Sequence, residues 1–111
     1  MNATEYQLRA HALAIYPEER AVEYVALGLA SEAGEVAGKV KKQIRDGKNW
    51  TGEQRHEHLD KTIAELGDVM WYAAELATVL GIDLGNVMRL NLAKLESRRD
   101  RGVIAGDGDA R

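Results

Sequence analysis

The chain has 111 residues, a formal net charge of −3 and no cysteine. This length suits one domain with one core, and the lack of cysteine excludes disulfides, thiolate metal sites and a cysteine nucleophile. The negative charge argues against general binding of duplex nucleic acid, and a composition rich in alanine and leucine, with no phenylalanine and one proline, favours helices over strands.

Two helices are predicted in the first half of the chain. The first covers about 4–15 and ends at Tyr16-Pro17, because a residue before proline avoids helical geometry; its Gln7 and His11 are expected on a polar surface. The second runs from about 18–20 to Arg45, ahead of the Asp46-Gly47 stop signal. Its apolar stripe has helical spacing and consists of Val22, Val25, Leu29, Val36 and Val40.

Two more helices are predicted after a loop. Thr51 and Gln54 match a capping box that begins a third helix, which Gly81 ends. Asp83 is the predicted N-cap of a fourth helix that ends at Gly102. Residues 103–111 are expected to form an irregular tail. The predicted core stripe of the third helix is Leu59, Ile63, Leu66, Met70, Ala73 and Leu80.

The predicted fold class is therefore all-α, an antiparallel four-helix bundle in a single domain, 1–111. One layer of helices has little interior, so we expect oligomerisation to complete the bundle. The N-terminal 14 residues lack the apolar core of a signal peptide, and the longest apolar run, 69–80, contains Glu75 and is shorter than a membrane span. We expect a cytoplasmic protein of bacterial or viral origin, with neither membrane nor nucleic acid as a partner.

Acidic residues interrupt the apolar pattern of the second and third helices. Position 32 falls on the buried stripe but is a glutamate, and Glu35 shares its side of the helix. Glu65 and Asp68 repeat this spacing in the third helix. Burying carboxylates is costly unless a cation, a proton or a partner compensates. Oxygen ligands of this kind favour Mg²⁺, with Mn²⁺ as a substitute.

Either acid pair alone is more simply interpreted as a solvated helix face, and Glu35 with Lys39 matches an ordinary i,i+4 surface pair. Both pairs together, each in apolar sequence, favour a metal site. Gly34 and Gly67 lie inside the two motifs although glycine costs a helix about 1 kcal/mol relative to alanine. We therefore expect another backbone to approach closely at both glycines.

These motifs resemble a known family. Ser31-Glu32-Ala33-Gly34-Glu35 followed by Glu65-Leu66-Gly67-Asp68 is similar to the metal-binding signature of the MazG-like nucleotide pyrophosphohydrolases, in the all-α NTP pyrophosphatase superfamily. The resemblance covers about residues 22–111, including Trp71-Tyr72, the turn at 80–84, the segment 91–95 and the glycine-rich tail. The family often has two adjacent glutamates where this chain has Ser31-Glu32, so the usual first acid is missing.

The resemblance implies Mg²⁺-dependent hydrolysis of a (deoxy)nucleoside triphosphate to the monophosphate and pyrophosphate, in a homodimer or a homotetramer built as a dimer of dimers. The implied role is nucleotide-pool control or house-cleaning. The implied metal ligands and catalytic residues are Glu32, Glu35, Glu65 and Asp68. The candidate substrate-binding residues are Asn91 and Lys94, which match a polar pair of the family, together with Arg98 and Trp71.

Several alternatives stay open at this stage. The substrate is a purine nucleotide such as dGTP, or else dUTP or dCTP, because base choice depends on a few pocket contacts. Arg98 could instead be a surface arginine, and packing in the core or at a subunit interface is the favoured interpretation of Trp71. A phosphoribosyl-ATP pyrophosphatase of histidine biosynthesis would perform the same chemistry. A non-enzymatic helical oligomer or regulator would keep the acids as salt-bridge partners.

Overall fold

The structure, a computed structural model, describes all 111 residues. It contains no strand and four α-helices: α1 Ala3–His11, α2 Ala21–Asp46, α3 Gly52–Val79 and α4 Leu84–Asp100. Short 3₁₀ turns at Glu18–Arg20 and Gly47–Asn49 lie at the two ends of α2. The predicted all-α class is confirmed. No helix combines the length and the apolar character that a membrane crossing requires.

The centre of the molecule is the hairpin of α2 and α3, which share the largest helix–helix contact. α3 begins at the predicted capping box: Oγ1 of Thr51 accepts a 3.1 Å bond from the Gln54 amide, and Oε1 of Gln54 accepts a 2.9 Å bond from the Thr51 amide. Because the connection between the two helices is short, they run antiparallel and their facing side chains meet along their length.

α1 is shorter than predicted and ends at His11 rather than near Ile15. Its start agrees with the prediction to within one residue, but the capping box of Asn2 and Glu5 at this end was not predicted. The chain leaves helical geometry early because residues 12–16 fold back toward α3, where the hydroxyl of Tyr16 donates a 2.6 Å hydrogen bond to Glu75. This tertiary contact ends the helix before Pro17 does.

The expected polar surface is confirmed at His11, which is exposed, and is wrong at Gln7. Gln7 is buried, and its Nε2 donates hydrogen bonds to Thr78 Oγ1 at 3.1 Å and to the Ile82 carbonyl at 2.9 Å. Its Oε1 accepts a 2.7 Å bond from the Leu84 amide. The Gln7 amide therefore joins α1 to the end of α3 and the start of α4, and it satisfies backbone groups that the helix ends leave free.

A single copy of the chain buries few of its apolar side chains. Only four hydrophobic residues are fully buried, and three of them are alanines. The predicted core stripe of α3 is largely exposed, since Leu59, Ile63, Leu66 and Met70 each have between 52% and 56% of their surface accessible. Every residue of α4 from 87 to 97 is exposed as well. The stripe residues therefore lie on a helix as predicted, but a single chain does not bury them.

The close backbone approach expected at Gly34 and Gly67 is also wrong within one chain. A Cβ atom added at either position would have no neighbour within 4 Å. The close approach occurs instead at Gly28, where an added Cβ would overlap the ring of Tyr72. Gly28 thus allows α3 to pack its tyrosine directly on the backbone of α2.

Candidate metal centre

Three carboxylates converge where α2 and α3 face each other. One carboxylate oxygen from each of Glu32, Glu65 and Asp68 lies within 4.8 Å of the other two. Glu32 comes from α2, whereas Glu65 and Asp68 lie one turn apart on the same side of α3. Glu32 and Glu65 are half-buried and Asp68 is exposed. The group is therefore held by the helix pair and open to solvent on one side.

The charges in this group repel one another. Partial burial, followed by the charges of Asp68, Glu65 and Glu35, raises the pKa of Glu32 above its usual value. The nearest cation is Lys39, whose Nζ lies 3.7 Å from Oε1 of Glu65. Lys39 thus pairs with Glu65 across the helix interface and not with Glu35, as the i,i+4 spacing suggested. One ammonium group leaves the three carboxylates with an excess of negative charge.

The residues fit a hard divalent cation. Oxygen ligands that lie about 2.1 Å from a Mg²⁺ ion are separated by at most about 4 Å, and the three carboxylate oxygens are already nearly that close. Glu32, Glu65 and Asp68 would hold such an ion, and the exposed Asp68 would keep the site open to solvent. The structure therefore supports a divalent-metal site of the kind that the acid spacing predicts.

Glu35 is the predicted ligand that the close group does not include. It lies one turn after Glu32 on α2, and it is exposed. Its charge nevertheless contributes to the raised pKa of Glu32, which indicates that the two carboxylates are neighbours. The structure brings three of the four predicted acids together and leaves Glu35 at the exposed side of the group.

Aromatic residues border the acids on the α1 side. Trp71 lies one turn after Asp68 on α3, and its Nε1 donates a 3.2 Å hydrogen bond to the Ala10 carbonyl. With Tyr6, Arg9 and several apolar residues it lines a groove of about 470 Å³. Burial and the nearby charges of Asp68 and Glu75 raise the pKa of Tyr6. Because Trp71 lines the groove and lies one turn after Asp68, the groove is beside the acid group.

The candidate substrate residues of α4 make no ion pair with the four predicted metal ligands of the same chain. Asn91 and Lys94 are exposed. Arg98 is not a surface arginine, since its side chain is only 5% exposed. Lys94 and Arg98 both contact Asp109 of the C-terminal tail, at 3.3 Å and 3.1 Å from its Oδ1 atom. The structure thus groups two of the four candidate substrate-binding residues, but around an acidic side chain of the tail.

A second polar cluster, which was not predicted from the sequence, is centred on Glu75. This residue is fully buried, and its Oε1 accepts a 2.6 Å hydrogen bond from Tyr16 and lies 3.0 Å from Nδ1 of His11. Its Oε2 has no partner. The available signal was a single charged residue within the apolar run 69–80, because an acid in such a place needs polar partners from elsewhere in the fold.

Comparisons with known proteins agree with the motifs. The family described as the MazG nucleotide pyrophosphohydrolase domain matches residues 20–103, which include the acid group and the polar residues of α4. The chain is also similar to the Gene 37 protein of Mycobacterium phage L5, with 48% identity over an alignment of 117 residues that covers both chains completely. No solved structure matches. The chain belongs to the MazG nucleotide pyrophosphohydrolase family.

Proposed function

We propose that the protein hydrolyses a (deoxy)nucleoside triphosphate to the nucleoside monophosphate and pyrophosphate, with Mg²⁺ as its cofactor and Mn²⁺ as a substitute. The observation that carries this proposal is the convergence of Glu32, Glu65 and Asp68 at the open edge of the helix pair. Bound there, Mg²⁺ supplies the positive charge that attracts a triphosphate to an acidic site and offsets the charge of the departing pyrophosphate.

The acidic residues have distinct proposed roles. Glu32, Glu65 and Asp68 hold the metal, since their oxygens already lie together. Glu35 is exposed beside them, which suits a fourth ligand or a general base that takes the proton of the attacking water. In the reaction, the water oxygen bonds to the α-phosphorus and the bond to the leaving pyrophosphate breaks.

The groove beside Trp71 is the proposed site of the nucleobase. A flat aromatic side chain that is fixed by a hydrogen bond offers a stacking surface for any base. Arg9 also lines this groove, and an arginine can donate two parallel hydrogen bonds to O6 and N7 of guanine. This residue favours a purine nucleotide such as dGTP, with dUTP or dCTP as the alternative.

The polar residues of α4 are the proposed contacts to sugar and phosphates. Lys94 and Arg98 supply positive charge, and the exposed amide of Asn91 can bond to sugar or base. The protein is proposed to act as a homodimer or a dimer of dimers, because the apolar side chains of α3 and α4 lack cover in one chain. A second copy would cover these side chains and close the site. The proposed cellular role is nucleotide-pool control or house-cleaning.

A panel of dNTPs tests the activity. With Mg²⁺ present, we expect release of the monophosphate and pyrophosphate from at least one nucleotide, and loss of at least about a hundredfold in Asp68→Asn. The matched control is Asp60→Asn, an exposed aspartate on the same helix whose neighbour is His56, which should keep full activity. Release of orthophosphate in place of pyrophosphate would exclude the proposed reaction, and no turnover of any nucleotide would favour a non-enzymatic regulator.

A further inference from the structure

Arg98 differs from the helix residues that precede it. Residues 87–97 of α4 are exposed, but the side chain of Arg98 is 95% buried under the C-terminal tail, 103–111. Its Nη2 donates hydrogen bonds to the Asp109 carbonyl at 2.9 Å and to Oδ1 of Asp109 at 3.1 Å. Nζ of Lys94 lies 3.3 Å from the same carboxylate oxygen. The tail therefore places one acidic side chain on two neighbouring cations.

The tail is held in this position by its own last residue. Arg111 donates hydrogen bonds to the carbonyls of Val103 at 3.0 Å and Ile104 at 3.2 Å, and also to the carbonyl of Gly108. The Arg111 carbonyl in turn accepts a 2.9 Å bond from Arg101. These contacts close the tail into a loop that folds back on α4. The loop holds Asp109 beside Lys94 and Arg98.

The two cations form an anion site that a carboxylate fills only in part. A lysine and an arginine that share one oxygen are typical ligands of a phosphate group. Nε of Arg98 is buried and has no partner, which leaves the guanidinium with a donor that a larger anion could use. The hydrogen bonds from Arg98 and Lys94 hold the pKa of Asp109 below its usual value, so the tail carries a charge at this site at neutral pH.

We propose that the tail is an intramolecular competitor of the substrate: Asp109 occupies the place of a phosphate group on Lys94 and Arg98, and the tail must leave before a triphosphate can bind to them. This inference rests on the proposed role of Lys94 and Arg98 as phosphate ligands. Although Arg98 is buried, the Asp109 side chain is 88% exposed, so water can replace its contacts and the pair is weaker than one between two buried groups. A triphosphate with several charges can therefore displace it.

Charge removal at Asp109 tests the competition. If only the molecules with an open tail bind the nucleotide, the apparent affinity is the intrinsic affinity multiplied by the fraction of open molecules. Asp109→Asn raises that fraction, so it should lower the KM for the nucleotide about three- to tenfold. The value of kcat should stay within about twofold of wild type. The control is Asp107→Asn in the same tail, since Asp107 bonds only to the Gly108 amide. An unchanged or raised KM in Asp109→Asn, or a loss of kcat, would overturn the competition.

A separate variant distinguishes this inference from the proposed function. Lys94→Ala should raise KM if Lys94 binds phosphate, and an unchanged KM would remove that assignment and the inference with it, although the activity of the acid group would remain. If Lys94→Ala raises KM and Asp109→Asn does not lower it, the phosphate role is supported and only the competition by the tail fails.

Tail movement can be measured without turnover. The chain has no cysteine, so Ala110→Cys provides a single attachment point for a spin label. The label should be restrained in the free protein, mobile after saturation with a non-hydrolysable dNTP and Mg²⁺, and already mobile in a second variant that also carries Asp109→Asn. A label that stays restrained while calorimetry shows a saturated nucleotide site would contradict the proposal.

Discussion

The hydroxyl of Tyr16 donates a 2.6 Å hydrogen bond to Oε1 of Glu75 and so joins the segment after α1 to the C-terminal part of α3. Glu75 is fully buried, and this oxygen also lies 3.0 Å from Nδ1 of His11. Burial, with the hydrogen bond to Glu75 as the next cause, raises the pKa of Tyr16 well above its usual value. The phenol therefore stays protonated and serves as a permanent donor to a carboxylate that has few partners.

Tyr16→Phe should lower the free energy of unfolding by about 1–3 kcal/mol, because it removes a hydrogen bond to a buried charged group. Urea denaturation followed by circular dichroism measures this change. The matched control is Tyr6→Phe, a half-buried tyrosine on α1 whose hydroxyl makes no hydrogen bond, and it should change stability by less than about 0.5 kcal/mol. Equal losses in the two variants would show that the Tyr16 hydroxyl is not responsible.

Mg²⁺ and charge removal at Glu32 should have linked effects on stability. The pKa of Glu32 is raised in the folded state, so the folded chain favours the protonated form. The stability that protonated Glu32 contributes to the fold is present below its usual pKa of 4.5 and is lost as the pH rises through its pKa in the folded protein. At pH 7, Glu32→Gln should therefore raise the Tm of the metal-free protein.

The same variant should lose the rise in Tm that Mg²⁺ produces in the wild-type protein by binding to the folded state. Differential scanning fluorimetry with and without Mg²⁺ measures both effects. Glu57→Gln is the control, because Glu57 on α3 pairs with Lys61 at 2.7 Å and should not affect the response to Mg²⁺. If Mg²⁺ stabilises wild type and Glu32→Gln equally, the ion binds elsewhere.

Ile63→Glu should break the proposed oligomer. Ile63 lies in the middle of the apolar stripe of α3 and is 56% exposed in a single chain, and a charge buried there without a partner would cost several kcal/mol. Size-exclusion chromatography with light scattering should show a dimer or tetramer for the wild type and a monomer for the variant. Leu8→Glu on α1, 69% exposed and outside the stripe, should leave the oligomer intact. A monomeric wild-type protein at micromolar concentration would contradict the prediction.

Gly28→Ala should destabilise the protein by about 1–3 kcal/mol, because the added methyl group overlaps the Tyr72 ring and forces it to move. Gly38→Ala in the same helix is the control. It meets nothing within 4 Å, and the higher helix propensity of alanine should stabilise the protein by up to about 1 kcal/mol. Chemical denaturation at pH 7 gives both values, and a stabilising Gly28→Ala would show that Tyr72 does not pack there.

The sequence alone determined the features that depend on neighbouring residues. Thr51 and Gln54 are three apart, so their capping box forms wherever the helix lies in the fold. Glu65 and Asp68 share one side of α3 because a helix has 3.6 residues per turn. The same periodicity predicted the apolar stripe on which Ile63 lies, but it did not show that a single chain leaves this stripe exposed.

Only the tertiary structure decided which groups meet across the molecule. It brought Glu32 to the acids of α3 and left Glu35 outside the close group. It also placed Glu75 beside Tyr16, 59 residues away, and Asp109 on Arg98. Such contacts depend on how far each helix is rotated about its axis and shifted along it. Packing of the whole chain sets both quantities, and local spacing shows only which face of a helix is apolar.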